Sequence, residues 1–181
     1  MQQVFVFLAD GFEEIEAIAP VDVFRRAGMN VTTVSITNEL QVRGAHDVLV
    51  VADARFSEMD FSGDFLIFLP GGMPGATNLD NHAGLKKLIE KQSAKGKVIA
   101  AICAAPLILG KMGLLKNKEA ICYPGYERFL QDAHIATSEI VKSGNIYTAK
   151  GPGVSIPFAL RIVQDFKGKE FAEAIAKAMM F

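Results

Sequence analysis

The stretch VFVFLADGFEEIEAIAPVDVFRRAG (4–28) changes its hydrophobic period partway along. VFVFLA (4–9) is a continuous apolar run of strand length, rich in β-branched and aromatic residues. EIEAIAPVDVFRRAG (14–28) then sets Ile15, Ile18, Ala19 and Phe24 at helical spacing and closes on Gly28. A strand with no polar alternation is buried on both faces, and an amphipathic helix directly behind it is a crossover. The same pattern recurs along the chain. NVTTVSI (30–36), DVLVVA (47–52), DFLIFLP (64–70) and KVIAAI (97–102) read as further strands, with EAICY (119–123) a weaker one. HAGLKKLIEKQSAKG (82–96) carries Leu85, Leu88, Ile89 and Gln92 in one helical stripe, and APLILGKMG (105–113) reads as a short helix. EIVKSGNIYTA (139–149) predicts a β-hairpin turning at Ser143, Gly144 and Asn145, and SIPFALRIVQDF (155–166) and KEFAEAIAKAM (169–179) predict two closing helices. Buried strands alternating with such helices predict a doubly wound α/β sandwich on a parallel sheet, because right-handed crossovers cover both faces. Its ligand crevice is expected beyond the carboxyl ends of the strands.

Length and composition narrow the function classes. With 181 residues, 50% of them hydrophobic, the chain is sized for one domain over 1–181. A net charge of −1 and a pI near 6.3 leave no positive field for a polyanion, so specific nucleic-acid binding is not expected. The two cysteines, Cys103 and Cys122, make neither a disulfide framework nor a zinc-ligand spacing, which predicts a reducing compartment. The amino terminus has no basic leader, and its apolar run meets Asp10 within a few residues. We therefore expect a soluble, cytoplasmic protein with no membrane partner.

Three strand–helix junctions can carry chemistry. In ADGFEEIEAIAP, Glu13 and Glu14 suit the positive end of the helix dipole, whereas Glu16, between Ile15 and Ala17, faces the crevice as a partly desolvated carboxyl. FLPGGMPGATNL lacks the signatures of a phosphate cradle. Its glycines serve either a tight turn or the close approach of backbone N–H groups to a reacting oxygen. In VIAAICAAPLIL a strand delivers Cys103 to a helix beginning near Ala104, with Ala101, Ala104 and Ala105 leaving room around it. That is the pattern of a nucleophile elbow, and a helix N-terminus favours thiolate. The alternative is a small buried hydrophobe, the same reading that applies to Cys122 at the end of its strand. His46, His82 and His134 fall in none of these junctions and read as surface or loop residues, so neither a Cys-His dyad nor a metal site is expected.

GFEEIE, LPGG and AAICAAP, with PVDVFRRAGMNV and TAKGPG (148–153), resemble in this order the ThiJ/PfpI family, in the branch of the parkinsonism-associated protein and its bacterial relatives. The resemblance spans essentially the whole chain. It implies a flavodoxin-like α/β fold, a homodimer, a reactive Cys103, a partner carboxyl at Glu16, and oxyanion donors in the backbone of Gly72 and Ala104. Gly71, Tyr123 and His46 would line the pocket. Two positions depart from the pattern: Tyr123 stands where several members have histidine, and His46 where some have arginine. A phenol donates a hydrogen bond but is a poor base at neutral pH. The implied activity is cofactor-independent glyoxalase or deglycase chemistry in stress response, acting on a small carbonyl electrophile or a glycated thiol or amine. The other implied roles are a redox-sensing chaperone, in which Cys103 is oxidised, and a peptidase-like hydrolase.

Overall fold

The computed structural model describes residues 2–181. The chain runs β1 (Gln3–Leu8), α1 (Glu14–Arg26), β2 (Asn30–Ser35), β3 (Gln41–Arg43), β4 (Leu49–Val51), β5 (Ala54–Arg55), β6 (Phe65–Leu69), α2 (Gly75–Asn81), α3 (Ala83–Ala94), β7 (Ile99–Ile102), α4 (Pro106–Lys111), β8 (Glu119–Ala120), β9 (His134–Ile135), β10 (Ile140–Ser143), β11 (Ile146–Ala149), α5 (Ser155–Lys167) and α6 (Lys169–Ala178). Seven strands form one sheet in the order β10-β11-β7-β6-β1-β2-β5. All pairings are parallel except the hairpin β10–β11 at one edge. This is an α/β sandwich with the flavodoxin-like strand order at its centre. After β2 the chain returns to the far side of β1 to lay down β6, so the order reverses between β1 and β6. The loops leaving the two strands diverge there and open a crevice.

Burial on both faces explains the apolar runs. Val4 to Leu8 in β1 and all five residues of β6 are buried. Phe5 and Phe7 project to the face where Phe56, Phe61, Phe65 and the His82 ring gather. Phe68 projects to the other face, between Phe24 of α1 and Phe158 of α5.

Several expectations need correction. DVLVVA is not a strand of the main sheet. Its residues 49–51 pair antiparallel with 41–43, and Leu49 and Val51 are exposed. The edge beside β2 is taken by Ala54–Arg55, because the Asp53 carboxylate accepts hydrogen bonds from Thr33 N (2.8 Å), Thr33 Oγ1 (2.8 Å) and Arg25 (2.8 Å) and pins the chain there. Residues 75–81 form a helix where the glycine-rich run reads as a turn. Its buried face sets Asp80, held by Lys86 (3.3 Å) and Lys111 (2.6 Å), beside Ala76 and Leu79. The weak strand at 119–123 shrinks to two residues paired with β9 outside the main sheet, so Cys122 is buried but not in a strand. His82 lies in the connection between α2 and α3, in line with the loop reading, half-buried against Phe56 and capping α3. No helix among the described residues is long and apolar enough to cross a membrane.

Candidate active site

The three junctions meet at the carboxyl ends of β1, β6 and β7. Glu16 lies in the first turn of α1 and is fully buried. The loop after β6 binds to it twice, since Glu13 N donates to Gly71 O (3.0 Å) and Gly71 N donates to Glu16 Oε2 (2.7 Å). A side chain at Gly71 would collide with the site itself. An added Cβ would lie 2.7 Å from Glu16 Oε2, 2.8 Å from Cys103 Cβ and 2.9 Å from Ala104 N. Gly72 sits at φ +84°, where a Cβ would be 2.3 Å from Glu13 N.

Cys103 follows β7 directly, at φ +63°. A non-glycine residue there is strained by roughly 1–3 kcal/mol and persists only where its surroundings hold it. Here Cys103 N donates to Ala149 O (2.9 Å), and Tyr123 N donates to Cys103 O (2.8 Å). Cys103 is 9% exposed, and the neighbouring backbone N–H groups of Gly72 and Ala104 lower its thiol pKa.

The electrostatics correct one expectation. A helix terminus alone does not lower the Cys103 thiol. Burial pushes it up, a charged Glu16 pushes it further, and only the Gly72 and Ala104 N–H groups pull the other way. Burial likewise raises Glu16, to about 7, against the lowering effect of its contacts with Cys103 and Gly71 N. The two groups therefore titrate as a coupled pair. Glu16 Oε1 is buried without a hydrogen-bond partner of ordinary geometry. Cys122 is pushed up to about 12 by burial and by Glu127.

Above the cysteine opens a cavity of about 620 Å³. Gly72, Cys103 and Ala104 form its floor, Ile15, Val48, Met73, Tyr123, Tyr126 and Pro152 its walls. Glu13, Glu14 and His46 form its rim. Glu14 accepts from His46 N (2.8 Å) and pairs with His46 Nδ1 (2.9 Å), and Glu13 Oε2 lies 3.6 Å from the same nitrogen. Burial pushes the Glu14 carboxyl up, but its hydrogen bonds, led by that from the His46 ring, outweigh this and hold it below its ordinary value. His46 is raised by its hydrogen bond to Glu14 and by both acidic charges. These three residues each offer one ligand atom, all within 4.8 Å of one another, a convergence across 32 positions that local spacing does not reveal. Glu14 thus does more than complement a helix dipole, because it ties the β3–β4 turn to α1. Tyr126 and Met73 were also not foreseen. The signal for Tyr126 was its position three residues after Tyr123, in the same turn.

An α/β domain of flavodoxin-like strand order, with a strained cysteine at a strand–helix elbow beside a buried carboxyl, is the class that fold and site define. The DJ-1/PfpI family model matches residues 2–165, and the chain belongs to that family. Protein DJ-1 homolog B of Arabidopsis thaliana is 38% identical over 177 residues, covering 97% of this chain and 40% of that protein. The chain thus spans less than half the length of that relative, and 46% of its Arabidopsis counterpart, homolog A. The glutathione-independent glyoxalase DJR-1.2 of Caenorhabditis elegans is 29% identical over 168 residues, covering 92% of this chain and 89% of that protein. The solved structure of oxidized Toxoplasma gondii DJ-1 matches with a TM-score of 0.96 at 35% identity, covering 100% of this chain and 99% of that one.

Proposed function

We propose that the chain is a cysteine-dependent stress-response protein acting on reactive dicarbonyls or their early adducts on thiols and amines. Cys103 is the nucleophile and Glu16 the proton carrier. The observation that supports this reading is the orphaned Glu16 Oε1. A buried carboxylate oxygen without a donor is costly, and a proton on it turns an unsatisfied acceptor into a donor facing the sulfur. In this reading the pair holds one proton near neutral pH, on Glu16; burial opposes the thiolate, and a neutral Glu16 removes the repelling charge while the Gly72 and Ala104 N–H groups favour it.

With methylglyoxal the steps balance as follows. The sulfur attacks the aldehyde carbon, and the carbonyl oxygen takes the Glu16 proton, giving a hemithioacetal. The Glu16 carboxylate removes the proton from that carbon and returns it to the neighbouring one, while the hydroxyl proton passes to the neighbouring carbonyl oxygen, so the hemithioacetal becomes a thioester of the hydroxy acid. Water then cleaves the carbon–sulfur bond, releasing lactate and restoring the thiol. No external oxidant or reductant enters, because one carbon is oxidised as its neighbour is reduced. That a relative is named a glutathione-independent glyoxalase supports this chemistry. Tyr123 supplies no ready base, so the chemical step is slow, by on the order of 10²–10⁴ relative to a site with general acid–base assistance.

The test is lactate formed from methylglyoxal under a chelator. Wild type is expected to produce it, Cys103→Ser to produce none, and Tyr123→His to produce it faster. Lactate persisting in Cys103→Ser would eliminate the thiolate mechanism. Its absence with wild type would favour the second reading, a redox-sensing chaperone in which Cys103 is oxidised, for which the oxidized Toxoplasma relative is the supporting observation.

A further inference from the structure

We propose that the site is built for carbonyl compounds carrying an aromatic or branched apolar group next to the reacting carbon, rather than for the smallest dicarbonyls. This rests on Cys103 being the nucleophile of the proposed function and names its substrate class. A cavity of about 620 Å³ is of the size that encloses drug-sized ligands, far more than three carbons fill.

Part of the lining is aromatic, and its backbone is tied to the nucleophile. Tyr123 N donates to the carbonyl of Cys103 itself (2.8 Å), so the tyrosine backbone is tied to the nucleophile. The Tyr123 ring lies over Gly151, where an added Cβ would sit 3.3 Å from Cδ2, and the missing side chain is what lets the ring occupy that place. Tyr126 N donates to Tyr123 O (3.1 Å), and the two rings meet edge to face with centroids 6.5 Å apart. Tyr126 is backed in turn by Phe129, at 6.0 Å. Across the opening stand Ile15, Val48 and Met73, all exposed. Exposed apolar side chains facing an aromatic wall are desolvated favourably by a flat or branched apolar group and gain little from a methyl group. A substituent on the electrophile's carbonyl carbon, with Cys103 attacking from the floor, projects between these walls.

The inference can be tested on alkylation alone, without turnover. Bromoacetone and phenacyl bromide react by the same step: the Cys103 sulfur displaces bromide, a carbon–sulfur bond replaces the carbon–bromine bond, and any thiol proton passes to Glu16 or water. The rate ratio of phenacyl bromide to bromoacetone at Cys103, divided by the same ratio for glutathione, removes intrinsic reactivity. We expect a normalised preference of at least about tenfold for the aryl reagent. It should fall several-fold in Tyr126→Ala, and less in Tyr126→Leu, which retains apolar bulk and guards against misfolding. A normalised ratio near one in wild type, or one unchanged in both variants, overturns the inference. Aryl selectivity without lactate formation would refute the turnover chemistry and leave this inference standing. Lactate without aryl selectivity would do the reverse.

Discussion

An added Cβ at Gly71 would meet Glu16, Cys103 and Ala104 at once, so this residue marks where the carboxyl, the thiol and a backbone donor come within contact. Such crowding couples the protonation of the two groups. Two buried acids side by side cannot both ionise near neutral pH, and the doubly charged state is the one that burial opposes most. Of the two singly protonated arrangements, thiol with carboxylate offers Glu16 Oε1 at best the weak S–H donor of Cys103, although Gly71 N serves Oε2. Thiolate with carboxylic acid gives that oxygen a proton to donate and gives the sulfur two backbone N–H groups. The second arrangement replaces a weak S–H donor with a carboxylic O–H, and it is the one on which the proposed chemistry depends. Cys122 has no such neighbours. Burial and Glu127 push its thiol up to about 12, so it is expected to add little thiolate signal near neutral pH.

Among the elements, α3 carries a pH response of its own. His82 caps it by accepting the Leu85 N–H at Nδ1 (2.9 Å), which requires a neutral ring, and burial lowers its proton affinity below the ordinary 6.5. The Phe56 ring stands 4.5 Å away. A depressed pKa contributes stability that is present above the unfolded value and is lost as pH falls through the folded one. Urea midpoints at about pH 7.5 and pH 5 should therefore drop more on acidification in wild type than in His82→Asn, whose amide caps without titrating. His82→Ala should cost about 0.5–2 kcal/mol at the higher pH. Equal acid sensitivity in wild type and His82→Asn would contradict this role for His82. The cap also shows where legibility in the sequence ends. The main parallel strands and their helices were readable because each strand is apolar on both faces and each helix has one apolar stripe. The β3–β4 pair was not, because strands of three residues with exposed Leu49 and Val51 carry no burial pattern. Neither was α2, whose buried face is short and sets Asp80 beside Ala76 and Leu79. At the site, Glu16 and Cys103 stood out by their place at junctions, while the Glu14–His46 clamp joins segments that only the folded chain brings together.

At the scale of the molecule, Ile18 of α1 and Leu49 and Val51 (64% exposed) of the β3–β4 hairpin are exposed apolar side chains outside the cavity lining, on two elements joined by the bonds of Glu14 to His46 and Val48. Contiguous exposed apolar side chains mark an interaction surface, and we propose that a second copy covers this one. Light scattering at micromolar concentration should give a dimer for wild type and a monomer for Val51→Asp, and a monomeric wild type would contradict the assembly. The sheet reversal between β1 and β6, the strained elbow after β7 and the β3–β4 clamp all serve one pair of side chains. The most direct test of the account is therefore the thiolate absorbance of Cys103 against pH, with Cys103→Ser as the blank. Wild type should form thiolate with a midpoint below the free-thiol value of about 8.5. Glu16→Gln, whose amide still donates, should stay within about one pH unit of wild type, and Glu16→Asp, which withdraws the group, should shift upward. A wild-type thiol that stays protonated beyond about pH 9, or a midpoint that falls on Glu16→Gln as though a repelling carboxylate had been removed, would contradict the account.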